Sequence, residues 1–329
     1  MSLLKRLLPD RFLTILIATV IIASLLPARG IALEGIGTVS TIAIFTLFFM
    51  HGARLSHQSV IDGLKRWRLQ LTILLFGYGI MPLFGLGLSQ LLDGWLSPGL
   101  VLGLIFLAVL PTTVQSSIAY SSISRGNVVG AVIASAASNL LGVILTPLLF
   151  TALASTQGGD AGLSAIGKIM LLLLLPFCLG QLLQNLVKGW VERHRKLVGF
   201  LDKATIVLAV YVAFSEAVTG GIWSRISAAE MGILVAAVLI FLALAFGSAW
   251  GLGRLLGKSR PDRITLLYSG AHKSLATGAP MIRILFTGPE AGAILLPLIL
   301  YHQFQLMLSA VLSGRLARHD DADDGKSAG

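Results

Sequence analysis

Charge is scarce in this sequence. Asp, Glu, Lys and Arg make up 12% of its 329 residues while hydrophobic residues make up 55%; an ordinary soluble domain carries roughly a quarter charged residues. A soluble fold of this composition would have to show water a largely apolar surface, so a membrane is the expected surrounding. Cysteine is scarcer still. The single Cys178 lies in an apolar run, which excludes a disulfide framework and a cysteine-held metal. His51 and His57 stand apart with no HExxH pattern, so a membrane metalloprotease lacks its ligands. The stretch Gly253-Arg254-Leu255-Leu256-Gly257-Lys258-Ser259 imitates a phosphate loop, but Leu252 occupies the place of its first glycine and no strand precedes it. With no carboxylate pair in an apolar stretch either, no catalytic apparatus is visible: neither an enzyme nor a resident cofactor is expected.

What the sequence has is long apolar runs. A helix crosses the hydrocarbon core in about 20 residues, and that ruler predicts ten spans. They fall near 12–28, 33–53, 69–92, 98–122, 128–152, 165–187, 203–221, 229–253, 264–286 and 289–313. The fold expected is therefore an all-α polytopic membrane protein, multi-pass in a bacterial inner membrane. Lys5, Arg6 and Arg11 before the apolar run from Phe12 imitate a signal peptide, but the repeat described below requires this segment as its first helix. The segment 315–329 is polar and acidic and is expected to be a disordered cytoplasmic tail.

The net charge of +10 does not imply nucleic acid, because the basic residues sit in short clusters between apolar runs. Placed on the span map with the N-terminus inside, 20 Lys and Arg fall in cytoplasmic segments. Only Arg29, Lys168, Arg225 and Arg283 fall opposite, and Lys273 falls inside a span. That asymmetry predicts both termini cytoplasmic.

An offset of 157 lays Pro111–Ser117 on Tyr268–Ser274 and carries the first span onto the sixth and the fifth onto the tenth. Five spans per half is an odd number, so the second copy is inverted. Residues 1–157 and 158–314 are the two halves, with the boundary near Ser155–Asp160. The matched segments are also the most polar parts of spans 4 and 9. The first has Pro111 followed by Thr112, Thr113, Gln115, Ser116 and Ser117; the second has Gly270, Gly278 and Pro280 around His272, Lys273 and Ser274. Proline removes a donor and clashes with the preceding turn, so each helix is expected to break at mid-depth, where freed backbone is tolerable only around a cavity. Matched interruptions in inverted halves point to a transporter binding site. A merely kinked helix, with hydroxyls bonded to their own carbonyls, is the plainer alternative for either one alone.

Lys273 is the least expected residue, since a cation at a helix centre costs about 2.5–3.5 kcal/mol on insertion scales. Glu216, the one acidic residue well inside a span, is a candidate counter-ion for it, or a proton or cation site. Ser135, Ser138 and Asn139 in span 5, and His302, Gln303 and Gln305 in span 10, add polar groups beside the breaks; of these, Ser135 and Gln303 are taken as candidate site residues and interhelical glue is the alternative. Gly99/Gly103, Gly126/Gly130 and Gly247/Gly251 are spaced for close helix packing.

The runs FFMHGARL, LPTTVQSSIAYSSISRGNVVGAVIASAASNLLGVILTPLL and LYSGAHKSLATGAP resemble the bile acid:sodium symporter superfamily. The likeness is to its divergent bacterial branch, similar to animal and fungal members linked to calcium homeostasis, and it spans roughly residues 10–315. It implies a panel domain of spans 1, 2, 6 and 7 and a core domain of spans 3–5 and 8–10, with broken helices 4 and 9 crossing in the core. Typical members carry Ser-Asn where this chain has Ser116-Ser117, and Glu-x-Gly-x-Gln-Asn where it has Tyr268 to Lys273. The carboxylate shared by both sodium ions in the family is thus absent. Ser135 matches a family hydroxyl and Ala131 replaces another.

The function expected is secondary transport of a small organic, anionic solute, with coupling other than two-sodium symport and protons as an alternative ion. The partners expected are the solute and the lipid bilayer; the oligomeric state stays open. A non-transporting membrane regulator, for example of calcium influx, on the same fold is the competing expectation.

Overall fold

A computed structural model describes residues 11–54, 67–154, 167, 170–286 and 288–327. The expected boundary at Ser155–Asp160 and the cations Lys5, Arg6, Lys65, Arg66 and Lys168 lie outside them. The regular elements among the described residues are all helices, with no strand. In chain order the helices are α1 (Arg11–Leu25), α2 (Gly30–Arg54), α3 (Trp67–Leu91), α4 (Pro98–Val109), α5 (Gln115–Ile123) and α6 (Val128–Ala154). They continue with α7 (Leu171–Leu182), α8 (Gln184–Arg193), α9 (Arg195–Thr219), α10 (Ala228–Leu255), α11 (Arg260–Ala271), α12 (Leu275–Leu285) and α13 (Glu290–Ser327). Six of these are long and apolar enough to cross a membrane, α2, α3, α6, α9, α10 and the Glu290–Ala317 part of α13, or seven if the bent pair α7–α8 counts as one. The polar segment from Arg315, read from composition as a tail, continues α13 to Ser327.

Local chemistry explains the helix ends. Ser227 starts α10 with a capping box: its hydroxyl accepts from Glu230 N, and Glu230 accepts in turn from Ser227 N and from Ser97 N at 2.9 Å each. Pro98 and Pro261 occupy first-turn positions of α4 and α11, where a missing N–H costs nothing. The chain between α7 and α8 bends by 92°. Helix α8, which runs from the end of the sixth expected span into the basic connection after it, exposes Leu186 and Trp190 beside Lys188 and Arg193, the residue pattern of a helix lying at a membrane interface.

The core forms around α4, which is apolar on every side and buried along almost its whole length. It packs against α13 at Gly99, where a Cβ would meet Ala293 Cβ at 2.8 Å, and at Gly103, where a Cβ would meet Ile294 O at 2.7 Å. The expected close packing thus holds for that pair. Gly247 and Gly251 face open space, so among the described residues their spacing brings no helix against them.

Candidate functional site

Helix α4 stops where it does because of Pro111. The residue before a proline is pushed out of the helical region, and Leu110 is extended, at φ −69° and ψ 152°. The second break has another cause. Pro280, expected to help make it, lies inside unbroken α12, whereas His272 is extended at φ −69° and ψ 143° and Ser274 caps α12 by accepting from Thr277 N at 3.2 Å. The break therefore comes from a serine cap.

The two breaks meet: Ser274 N donates to Pro111 O at 2.9 Å. Around that link most of the freed backbone groups are satisfied, as burial demands. Val109 O accepts from Thr146 Oγ1 at 2.8 Å, Thr112 O from Asn139 Nδ2 at 2.9 Å, and Thr112 N donates to Ser138 Oγ at 3.1 Å. Ser117 Oγ bonds Thr113 O and lies 2.9 Å from Ser135 Oγ. On the other break, Ala271 O accepts from Tyr301 Oη at 2.7 Å.

His272 joins the halves by side chain. Its Nδ1 is 3.2 Å from Thr113 Oγ1 and 3.1 Å from Ser116 Oγ, and its Nε2 is 2.8 Å from Ser309 Oγ. Lys273 is 1% exposed. Its N–H donates to Gln305 Oε1 at 2.8 Å and its C=O accepts from Gln305 Nε2 at 3.0 Å. Its Nζ donates to Gly77 O at 3.1 Å, Ala108 O at 2.7 Å and Leu110 O at 2.8 Å. Gly77 belongs to a π-helical turn of α3, Phe76–Ile80, a widening often found at functional sites.

Of the residues predicted for the site, Thr112, Thr113, Ser116, Ser117, Ser135, His272, Lys273 and Ser274 are brought together here. Gln115 begins α5 and faces the adjoining cavity. Gln303 is half-buried on α13, and it is Gln305, two residues on, that holds Lys273. Glu216 is not the counter-ion of Lys273: its carboxylate lies 3.4 Å from Arg283 Nη2 and accepts from Gly288 N at 3.0 Å, tying α9 to the segment after α12 and to α12 itself. Thr277, which donates to Asn139 Oδ1 at 3.0 Å, is a contact that sequence reasoning missed.

A cavity of about 700 Å³ opens beside the breaks. One wall is Leu47, Phe48, His51 and Arg54 of α2 with Asp202, Lys203 and Ile206 of α9. The other includes Gln115, Ser116, Asn139, Ser274, Thr277 and His302. At its rim Arg54 Nη1 and Asp202 Oδ2 pair at 2.8 Å. The first residues of α5 and of α12 line the same space, and Val114 at the start of α5 supplies no side-chain cap. Two positive helix ends thus face the cavity.

Residues 10–318 match the SBF-like CPA transporter family. The chain is 46% identical over 318 residues to PA2026 of Pseudomonas aeruginosa, covering 96% of this chain and 95% of the relative. It is 40% identical over 312 residues to YfeH of Escherichia coli, whose name carries the word symporter, covering 95% and 94%. It is 27% identical over 323 residues to sodium/bile acid cotransporter 7 of Rattus norvegicus, again covering 95% and 94%. A multi-pass chain with two interrupted helices meeting beside a cavity, matched along nearly its whole length, belongs to the SBF-like CPA transporter family of the bile acid:sodium symporter superfamily.

Proposed function

We propose that this protein is a secondary transporter that carries a small organic anion across the bacterial inner membrane by alternating access. The reading takes ten spans in two inverted halves, 1–157 and 158–314, with α4–α5 and α11–α12 as crossing broken spans and both termini cytoplasmic. The observation that carries it is the 700 Å³ cavity set between α2 and α9 on one side and both helix breaks on the other. A panel of α1, α2, α7 and α9 rocking against the remaining core exposes that cavity to each side in turn.

Anionic solutes are favoured because the leading turns of α5 and α12 present positive helix ends to the cavity, with Gln115, Ser116, Asn139, Thr277 and His302 as polar contacts. The Arg54–Asp202 rim falls on the Lys/Arg-rich side, which makes the present opening cytoplasmic. Glu216 and Arg283, each about 13–14% exposed, pair on the opposite side and hold that end shut. Thr112, Thr113, Ser117, Ser135, His272, Lys273 and Ser274 keep the breaks in register, and the coupling ion is not a pair of sodium ions.

Counterflow in sodium-free proteoliposomes tests this reading with a panel of radiolabelled carboxylates, sulfonates and a bile acid, screened beforehand for thermal stabilisation of the purified protein. Uptake of an anion that also stabilises the protein is expected. An anion that stabilises the protein and never crosses would replace transport by a regulatory role.

A further inference from the structure

Relatives named sodium cotransporters raise the question of whether a metal cation belongs at the breaks. The residues present do not fit one. Tyr268, which stands at the family's carboxylate position, directs its hydroxyl to Ser124 Oγ at 3.0 Å. The only anionic partner expected nearby, Glu216, is bonded to Arg283 and Gly288. What the breaks do contain is a convergence of backbone carbonyls, and these already hold a cation.

We propose that the Lys273 ammonium is the resident monovalent cation of a carbonyl cage formed by Gly77, Ala108 and Leu110. Those three oxygens come from the π turn of α3, the last turn of α4 and the first residue of the break. Oxygens of this kind also replace water around an alkali ion. An ammonium brings one fixed positive charge and three donors, and it meets three acceptors at 2.7–3.1 Å. Ala108 and Leu110 lie at the C-terminal end of α4, where the helix dipole presents negative charge.

Gln305 adds to the fit by gripping the backbone N–H and C=O of Lys273, so the side chain leaves a fixed point and reaches the cage directly. A chain with its cation built in needs no sodium to close the gap between the breaks. The consequence for coupling rests on the transport reading, whereas the cage itself does not.

The cage is tested without a solute. Thermal unfolding of the purified full-length protein is followed in sodium, potassium, n-propylammonium and choline chloride at equal ionic strength, for the wild type and for Lys273→Ala. n-Propylammonium reproduces the atoms that Lys273→Ala removes beyond Cβ. The wild-type midpoint is expected to be the same in all four salts. That of Lys273→Ala is expected to fall in choline and to recover by several degrees in n-propylammonium or in one of the alkali salts. A midpoint for folded Lys273→Ala that no cation raises would overturn the proposal. The wild-type arm decides even where the variant yields no folded protein: a higher midpoint in sodium than in choline means the cage calls for a further cation and is not filled by Lys273.

Discussion

Gly180→Leu is expected to leave little folded protein in the membrane. Helices α2 and α7 touch backbone to backbone: a Cβ on Gly180 would overlap Phe49 O and sit 2.9 Å from Ala53 N, and a Cβ on Gly52 would overlap Phe177 O. Gln181 and Gln184 bind the same turn of α2, donating to Gly52 O and, at 3.2 Å, to Ala53 O. Overpacking a side chain into a core costs about 1–3 kcal/mol when neighbouring side chains can move. Here the obstacle is main chain, which cannot turn aside, so the helices must part and the glutamine bonds go with them. The monodisperse fraction after detergent extraction measures the effect, with Gly232→Leu as control because nothing lies within 4 Å of its Cβ position. Equal yields from the two variants would show that the α2–α7 contact is looser than described.

The second large effect is expected from Ala119→Trp, on flux rather than on folding. Ala119 is exposed on α5 and lines the cavity. Tryptophan there occupies space between α5 and α2 without removing a hydrogen bond of the breaks. Anion counterflow is expected to fall by an order of magnitude or more while the thermal midpoint stays near that of the wild type. Undiminished flux would place the solute path elsewhere.

Much of this architecture can be read from residue order, because the forces involved are local or periodic. Apolar run length locates the helices, and Pro111 ends α4 through its effect on the residue before it. Lys273 stands out as a charge in an apolar run, where only a specific set of partners could keep it. The second break falls where the sequence places it but for a different reason: Gly270, Gly278 and Pro280 are the evident signals, yet a short polar side chain at Ser274 caps a new helix, a signal weaker than proline. Gln305 rather than Gln303 holds Lys273, and Tyr301, Gln305 and Ser309 recur every four residues and so share one face of α13. All three are buried, and that spacing is the signal in the sequence.

Other features depend on contacts that no local rule encodes. Glu216 meets Arg283 across a long stretch of chain, and proximity to the end of its own helix could not reveal which cation it would meet. The cavity rim joins Arg54 to Asp202, two residues that local composition assigns to unremarkable basic connections. Helix α8 straddles the end of the sixth expected span and the basic connection after it, and only the 92° bend sets it apart as an element that exposes Leu186 and Trp190 while burying Val191.

Alternating access itself is most directly tested by a cysteine at Gln115, at the start of α5 on the cavity wall, in a Cys178→Ser background, since Cys178 is exposed. A membrane-impermeant thiol reagent is applied to right-side-out and to inside-out vesicles, and the labelled fraction is followed over time. If the cavity opens to each side in turn, Gln115→Cys is modified from both faces, while a cysteine replacing Asp202 at the rim is modified from one face only. Modification of Gln115→Cys from a single face, at every incubation time, would mean a cavity that never changes sides and would contradict transport by this protein.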